Sequence, residues 1–529
     1  MNNSSSQAGR KFYIVGGGIA GLATAVYLIR EGGCAGKDIT IFDGADVSGG
    51  ALDGSGSAEE GYLIRGGRMH EEHFVCTWDL LSAIPSLDDP AISVKEEIFA
   101  FNRQVVSGSH SRLLKSGEKM DVSSYGLSKH DIVDLLKLTM SSEKSLGNKS
   151  IEEWFPPEFF DTVYWFLWST TFAFQRWSSL AEMRRYAVRF IHLLPGFNQL
   201  KGIMRTYYNQ YDSVVLPIET WLREHGVNFR LSTPVVDIDF DIDGTDKRAT
   251  ALHILNPEGH HKTTLAEADC LFVTLGSMVE SAATGSMTSP APFLPKSAVG
   301  SWALWERLAV KDEAFGRPQI FCDNPKKSKW MSFTVTLKDH TFFEYMENFT
   351  GNPAGTGGLV TITDSNWFMS VVLAHQPHFR NQPDNVFVFW GDGLLPDAPG
   401  NFVKKPMAEC SGEEVMFELF YHLGILDMMQ PLMQKISCVP CMMPYIDSQF
   451  MPRSVGDRPH VIPPGASNFA FLGQFVEVPN DCVFTVEYSV RCAQMAVFGL
   501  LGVERAVSPV YRGDHDIGVL FNALKALQR

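Results

Sequence analysis

The sequence predicts an α/β protein in which a discontinuous Rossmann-like nucleotide-binding domain is joined to a mixed α+β substrate domain and a helical region. Three observations lead there. A strand, a glycine turn, a helix and a second strand are packed into the first part of the chain between Lys11 and Asp43. Apolar strand-like runs that end on glycine return much later, at Asp269 to Gly276 and Asn468 to Gly473. The chain has 529 residues, too many for one compact core.

The first strand is the short apolar run Lys11 to Val15, and Gly21 to Arg30 (GLATAVYLIR) has helical spacing and good helix formers. Ile39 to Phe42 is the second strand. A glycine- and serine-rich stretch, Ser48 to Ser57, leads away from this βαβ unit, and Gln104 to Ser124 reads as a polar surface excursion. Lys129 to Leu222 is largely helical and rich in aromatic residues. Strand-like patterns resume at Val227 to Phe240, Asp269 to Gly276, Thr334 to Leu337, Val386 to Trp390 and Asn468 to Leu472, with a helix from Thr485 to Leu501. The expected boundaries are 1–60, 205–290 and 455–505 for the nucleotide domain, 61–204 for the helical region, 291–454 for the substrate domain and 506–529 for a C-terminal helix. On that last helix Ile517, Leu520, Phe521, Leu524 and Leu527 share one face, which either docks on the body or meets a membrane surface.

Composition narrows the partners. Hydrophobic residues make up 45% and charged residues 20%, an ordinary globular balance, and only Met1 to Arg10 reads as a polar tail. A net charge of -15 argues against nucleic acid, whose phosphates demand a basic patch. Neither a basic leader nor a long uncharged apolar run is evident, so a soluble, cytoplasmic protein is expected, monomeric or homodimeric. The 9 cysteines lack disulfide spacing and are expected to be reduced. Cys438 and Cys441 form a C-x-x-C without a second pair, so no metal is expected.

The turn Gly16-Gly17-Gly18-Ile19-Ala20-Gly21 fits G-x-G-x-x-G between a strand and a helix, the context that gives the pattern meaning. Gly16 serves the tight turn, Gly18 lets a pyrophosphate approach, Gly21 allows close packing, and the helix N-terminus offers N–H groups to the phosphates. Asp43, at the end of the second strand, is placed to accept from a ribose hydroxyl. FAD rather than NAD is indicated by a second glycine turn, Ser48-Gly49-Gly50-Ala51, by the strand end Thr274 to Gly276, and by the late Gly473. Arg65 and Arg68 flank Gly66 and Gly67, where their charges suit either cofactor phosphates, a carboxylate or local ion pairs. Ser448, Gln449 and Arg453 are candidates for a polar head group. The aromatics Phe172, Phe174, Trp177 and Phe190 either line an apolar channel or form core.

Six segments then narrow the reading: GGALDG from Gly49, YLIRGGR from Tyr62, TTFAFQRW from Thr170, YYNQYDSVVLP from Tyr207, MPRSVGDRP from Met451 and FLGQFVEVPNDCVFTVEYSVR from Phe471. With these the chain resembles the oleate hydratase, or myosin-cross-reactive-antigen, family. The resemblance implies FAD-dependent addition of water across the cis-9 double bond of unsaturated free fatty acids such as oleic acid, giving 10-hydroxy acids without net redox. It implies a tyrosine proton donor at Tyr208. It also implies a glutamate directly after RGGR, where this chain has Met69, and a thioether accepts no proton at neutral pH. His70 or Glu71 could take over, or the loop could only position water. A flavin redox enzyme acting on a lipid and a non-catalytic fatty-acid or FAD-binding protein remain the alternatives.

Overall fold

In the computed structural model, which describes residues 9–529, the nucleotide domain is organised by a five-stranded, fully parallel sheet. Residues 1–8 of the polar tail lie outside the described residues. Its strands run in the spatial order Phe469–Leu472, Cys270–Thr274, Phe12–Val15, Ile39–Phe42 and Asn228–Arg230. The register pairs Phe12 with Cys270 on one side and with Ile39 on the other. Strand Cys270–Thr274 and the edge strand Phe469–Leu472 are buried on both faces, which is why CLFVT and FAFL read as unbroken apolar runs rather than alternating ones. Helix Ile19–Arg30 lies against helix Val486–Leu501, with the Tyr27 ring edge-on to Phe498 at 5.9 Å and the Gln494 amide donating to the Tyr27 hydroxyl at 2.9 Å. The run expected over Val227 to Phe240 divides in two. Asn228–Arg230 joins the parallel sheet, and Val235–Asp243 opens a three-stranded antiparallel meander with Asp246–Asn256 and Gly259–Thr264.

An eight-stranded mixed sheet forms the second layer. Its centre is Ile436–Met443, Trp330–Leu337, Phe387–Gly393 and Met369–Leu373, paired antiparallel. The sheet draws strands from outside 291–454: Ala283–Thr284 closes one edge, and Leu113–Lys115 with Glu118–Lys119 closes the other. Part of Gln104 to Ser124 is therefore a sheet edge, because Leu113 and Leu114 are buried against it while their polar neighbours kept the stretch looking like a loop.

The helical segments between Lys129 and Leu222 carry the charges that tie the layers together. Glu182, fully buried on helix Leu180–Arg189, accepts from Arg453 at 2.7 Å and Arg458 at 2.8 Å. Arg185 on the same helix reaches Glu143 and Glu477. The C-terminal helix Ile517–Leu527 packs through Ala523, Ala526 and Leu527, while Ile517, Leu520, Phe521 and Leu524 face outward. The apolar stripe thus does not dock as a unit: of its five members only Leu527 packs inward, beside the two alanines.

Candidate functional site

The glycine turn is built as its pattern requires. Gly16 has φ +103°, and a Cβ there would stand 2.7 Å from the Thr274 hydroxyl oxygen. A Cβ on Gly21 would overlap the Gly16 carbonyl oxygen. Helix Ile19–Arg30 begins at Gly18 without a side-chain cap, which leaves its first-turn N–H groups for a ligand. The second turn lies directly against the first: the Gly49 N–H donates to the Gly17 carbonyl at 2.9 Å, and Gly49 and Gly50 adopt φ +114° and +57°. Asp43 is held at the strand end by the Gly17 N–H at 2.5 Å and the Ala45 N–H at 2.8 Å. Burial raises its carboxyl above the usual range.

These residues line a cavity of about 740 Å³ that passes Gly16, Gly18, Asp43, Gly49, Gly50 and Gly473 and reaches Arg65 and Arg68. The volume is in the range of cofactor pockets. The Thr274 hydroxyl in its wall is buried without a protein partner, as a donor awaiting a ligand would be. Two touching glycine turns, an uncapped helix end and an acidic strand end together fit a dinucleotide.

Arg68 and Phe484 also belong to a second, smaller cavity of about 120 Å³, so the two spaces share a wall. The Arg68 guanidinium lies 5.1 Å from the Phe484 ring centre and donates to the Ala51 carbonyl at 3.1 Å. Burial lowers its pKa to about 10. Arg65 instead pairs with Asp53. Gly66, Gly67 and Met69 line the second cavity with Thr170, Arg205, Gln210, His375, His378, Trp390 and Asp392. Its walls are unusually rich in unsatisfied polar atoms: Arg205 Nη2, Gln210 Oε1, His375 Nδ1, His378 Nδ1, Trp390 Nε1 and Asp392 Oδ1. Buried polar atoms normally find partners, and convergence of so many on one space marks a binding site. Arg205 forms no ion pair among the described residues, and burial lowers its pKa to about 10. His378 is pushed down to about 4 by burial, so it is neutral at physiological pH.

Several residues singled out in the sequence take other places. Tyr208 is half-buried and lines neither cavity; the Arg380 guanidinium covers its ring at 4.8 Å, and burial raises its hydroxyl. Its neighbour Tyr207 instead packs on His375 and Phe101, both of the second cavity. His70 is buried away from both cavities against Phe74 and Trp78, with burial lowering it to about 4. Glu71 is locked by Arg189 at 2.8 Å and His73 at 2.9 Å, and these partners with His192 lower it to about 2 against the opposing effect of burial. So firmly ionised a carboxylate is a poor base. Glu71, His73 and His192 do bring possible metal ligands within 4.8 Å of one another, but Arg189 already holds the carboxylate. Phe174 and Phe190 belong to the core with Phe172 packed against it: Phe174 lies edge-on to Tyr186 and tilted on Phe450, and Phe172 and Phe190 lie against Tyr186, whereas the half-buried Trp177 donates to the Lys327 carbonyl. Ser448 donates to the Tyr445 carbonyl, Gln449 is fully buried, and Arg453 is committed to Glu182, so none of the three reaches a cavity.

Residues 9–498 match the model of the MCRA family. The chain is 42% identical to an oleate hydratase of Streptococcus pyogenes serotype M49 (strain NZ131), over 97% of this chain and 88% of that protein. It is 32% identical to a linoleate hydratase of Lactiplantibacillus plantarum, over 98% of each. Among solved structures, a cyclohexylamine oxidase from Brevibacterium oxydans IH-35A superposes with TM-score 0.51 at 13% identity, covering 94% of this chain and 100% of that one. A redesigned putrescine oxidase gives TM-score 0.53 at 13% identity, covering 93% and 99%. At such identity these two oxidases speak for the fold alone.

Proposed function

The chain belongs to the MCRA family, and from that premise we propose that it is a hydro-lyase adding water across a double bond of unsaturated fatty acids, with FAD in the larger cavity. The observation that carries the reading is the pair of cavities meeting at Arg68 and Phe484, one lined as a dinucleotide would need and the other small and lined by unpaired polar groups. The glycine turns and the helix N-terminus would hold the pyrophosphate, and Asp43 the ribose. FAD held there would serve a structural or electrostatic role rather than act as a redox couple. Arg205, half-buried and without a carboxylate partner among the described residues, is suited to the fatty acid's carboxylate. Met69 sits in this cavity but cannot activate water, so the acid–base work falls to other groups on its wall.

The test is turnover of oleic and linoleic acids by FAD-loaded protein in heavy-oxygen water. A hydroxy acid carrying one labelled oxygen, with the flavin spectrum unchanged at the end, is the expected product. Oxygen consumption or lasting flavin bleaching would favour the redox alternative, and binding without product the non-catalytic one.

No helix among the described residues is long and apolar enough to cross a membrane. The outward side chains Ile517, Leu520, Phe521 and Leu524, the first 84% exposed, support contact with the lipid surface from which such substrates are drawn. Phe521→Asp with Ile517→Asp is expected to abolish co-sedimentation with vesicles while sparing turnover of dispersed substrate. If the double variant instead converts a dimer to a monomer, the face serves self-association.

A further inference from the structure

Asp392 lies on strand Phe387–Gly393, in the middle of the eight-stranded sheet. Pairing places it in register between Ser332 and Ser370, and Ser370 is in turn opposite Thr361. These residues form one transverse row on one face of the sheet. The Ser370 hydroxyl is 2.9 Å from that of Thr361 and 3.1 Å from that of Thr170, so their needs are met among themselves. Asp392 and its register partner Ser332 are left over, and of the two Asp392 is the one that can donate an acidic proton. It is 3% exposed, it lines the same cavity as Met69, and its Oδ1 has no protein partner. No cation pairs with it among the described residues, although Arg68 and Arg205 line the cavity beside it with His375 and His378. Asp447 is a second buried carboxyl, and a charge on Asp392 would disfavour its ionisation.

We propose that Asp392 is the proton donor of this cavity, the role that the family resemblance gives to Tyr208, which lines neither cavity. The inference rests on the hydratase reading above. Burial raises the Asp392 carboxyl well above its ordinary range, which favours the protonated form that a donor needs. In the step, the Asp392 O–H bond breaks and the alkene's π pair forms a C–H bond with the released proton. The other alkene carbon, now electron-poor, is bonded by a water oxygen. The proton shed by that water is taken up by a neutral imidazole of the wall and returns through solvent to the Asp392 carboxylate. No electrons pass to or from the cofactor. The carboxylate formed during the step also faces the developing positive charge, which favours the transition state.

The test uses the FAD-loaded full-length enzyme and two substitutions, Asp392→Asn and Asp392→Glu. Asparagine keeps the shape and neutrality of the resting acid, so flavin content and thermal stability are expected to hold, whereas hydration is expected to fall about a hundredfold or more, the usual contribution of a general acid. Glutamate, which restores a proton, is expected to recover part of that loss. Infrared difference spectra at neutral pH are expected to show the carbonyl stretch of a protonated carboxylic acid in the parent protein and to lose it in Asp392→Asn. Undiminished hydration by a folded, flavin-loaded Asp392→Asn protein, or no protonated-carboxyl band at this position, overturns the proposal and leaves the hydratase reading standing. A parent protein that yields no labelled hydroxy acid, with the band present, overturns the hydratase reading and this role with it.

Discussion

Gly21→Ala is expected to leave the purified protein pale. The added methyl would overlap the Gly16 carbonyl oxygen and crowd Ile14, so the glycine turn must move away from its helix. Overpacking of this kind costs about 1–3 kcal/mol. Borne by the bound state, that weakens FAD about ten- to a hundredfold. Flavin absorbance after gel filtration, followed by titration with FAD, measures the loss. Because hydration depends on the occupied site, activity should return only at raised FAD. A Gly21→Ala protein that keeps its flavin through gel filtration would show that the turn does not hold the pyrophosphate.

The second large effect is structural. Removing Glu182 leaves Arg453 and Arg458 buried beside Arg185 without the shared carboxylate. Breaking a buried ion pair from one side costs about 3–5 kcal/mol, since the remaining charge keeps its desolvation penalty. Glu182→Ala should therefore lower the denaturant midpoint sharply, with Glu182→Gln less severe. The pH dependence has a definite sign. Against burial, Arg453 and Arg458 hold the Glu182 carboxyl at about 2, below its ordinary 4.5. A group depressed in the folded state contributes stability above its unfolded value and loses it as pH falls through the folded one. Parent stability should thus drop between pH 4.5 and about 2, and Glu182→Gln should show a shallower drop over that window. Equal slopes for the two proteins would remove Glu182 as the cause.

The nucleotide site was legible in the sequence because its demands are local: glycines at fixed spacing beside a strand end leave little else for the backbone to do. The second cavity was not. Asp392 follows Gly391 and precedes Gly393, and FWGDG reads as a strand that stops at Trp390 in a turn. In the fold the strand continues to Gly393, because a Cβ on Gly391 would press into the Phe333 ring and the Ser370 carbonyl. The glycine marks close packing rather than a turn. Arg205, His375, His378 and Asp392 meet only through sheet register and chain crossings, which no single stretch records. The resemblance placed attention on Tyr208, His70 and Glu71, but the chain turns these away from the cavity and presents Met69 and Tyr207 beside it instead.

The order of the parallel sheet bears on how the protein is made. Strand Phe469–Leu472 pairs with Cys270–Thr274, and Gly473 after it lines the larger cavity. While the ribosome is still adding the preceding residues, the glycine turns near the N-terminus already exist but their pocket lacks a wall. A product truncated before Phe469 is therefore expected to lack the wall that Gly473 supplies and to leave the flank of Cys270–Thr274 open to aggregation.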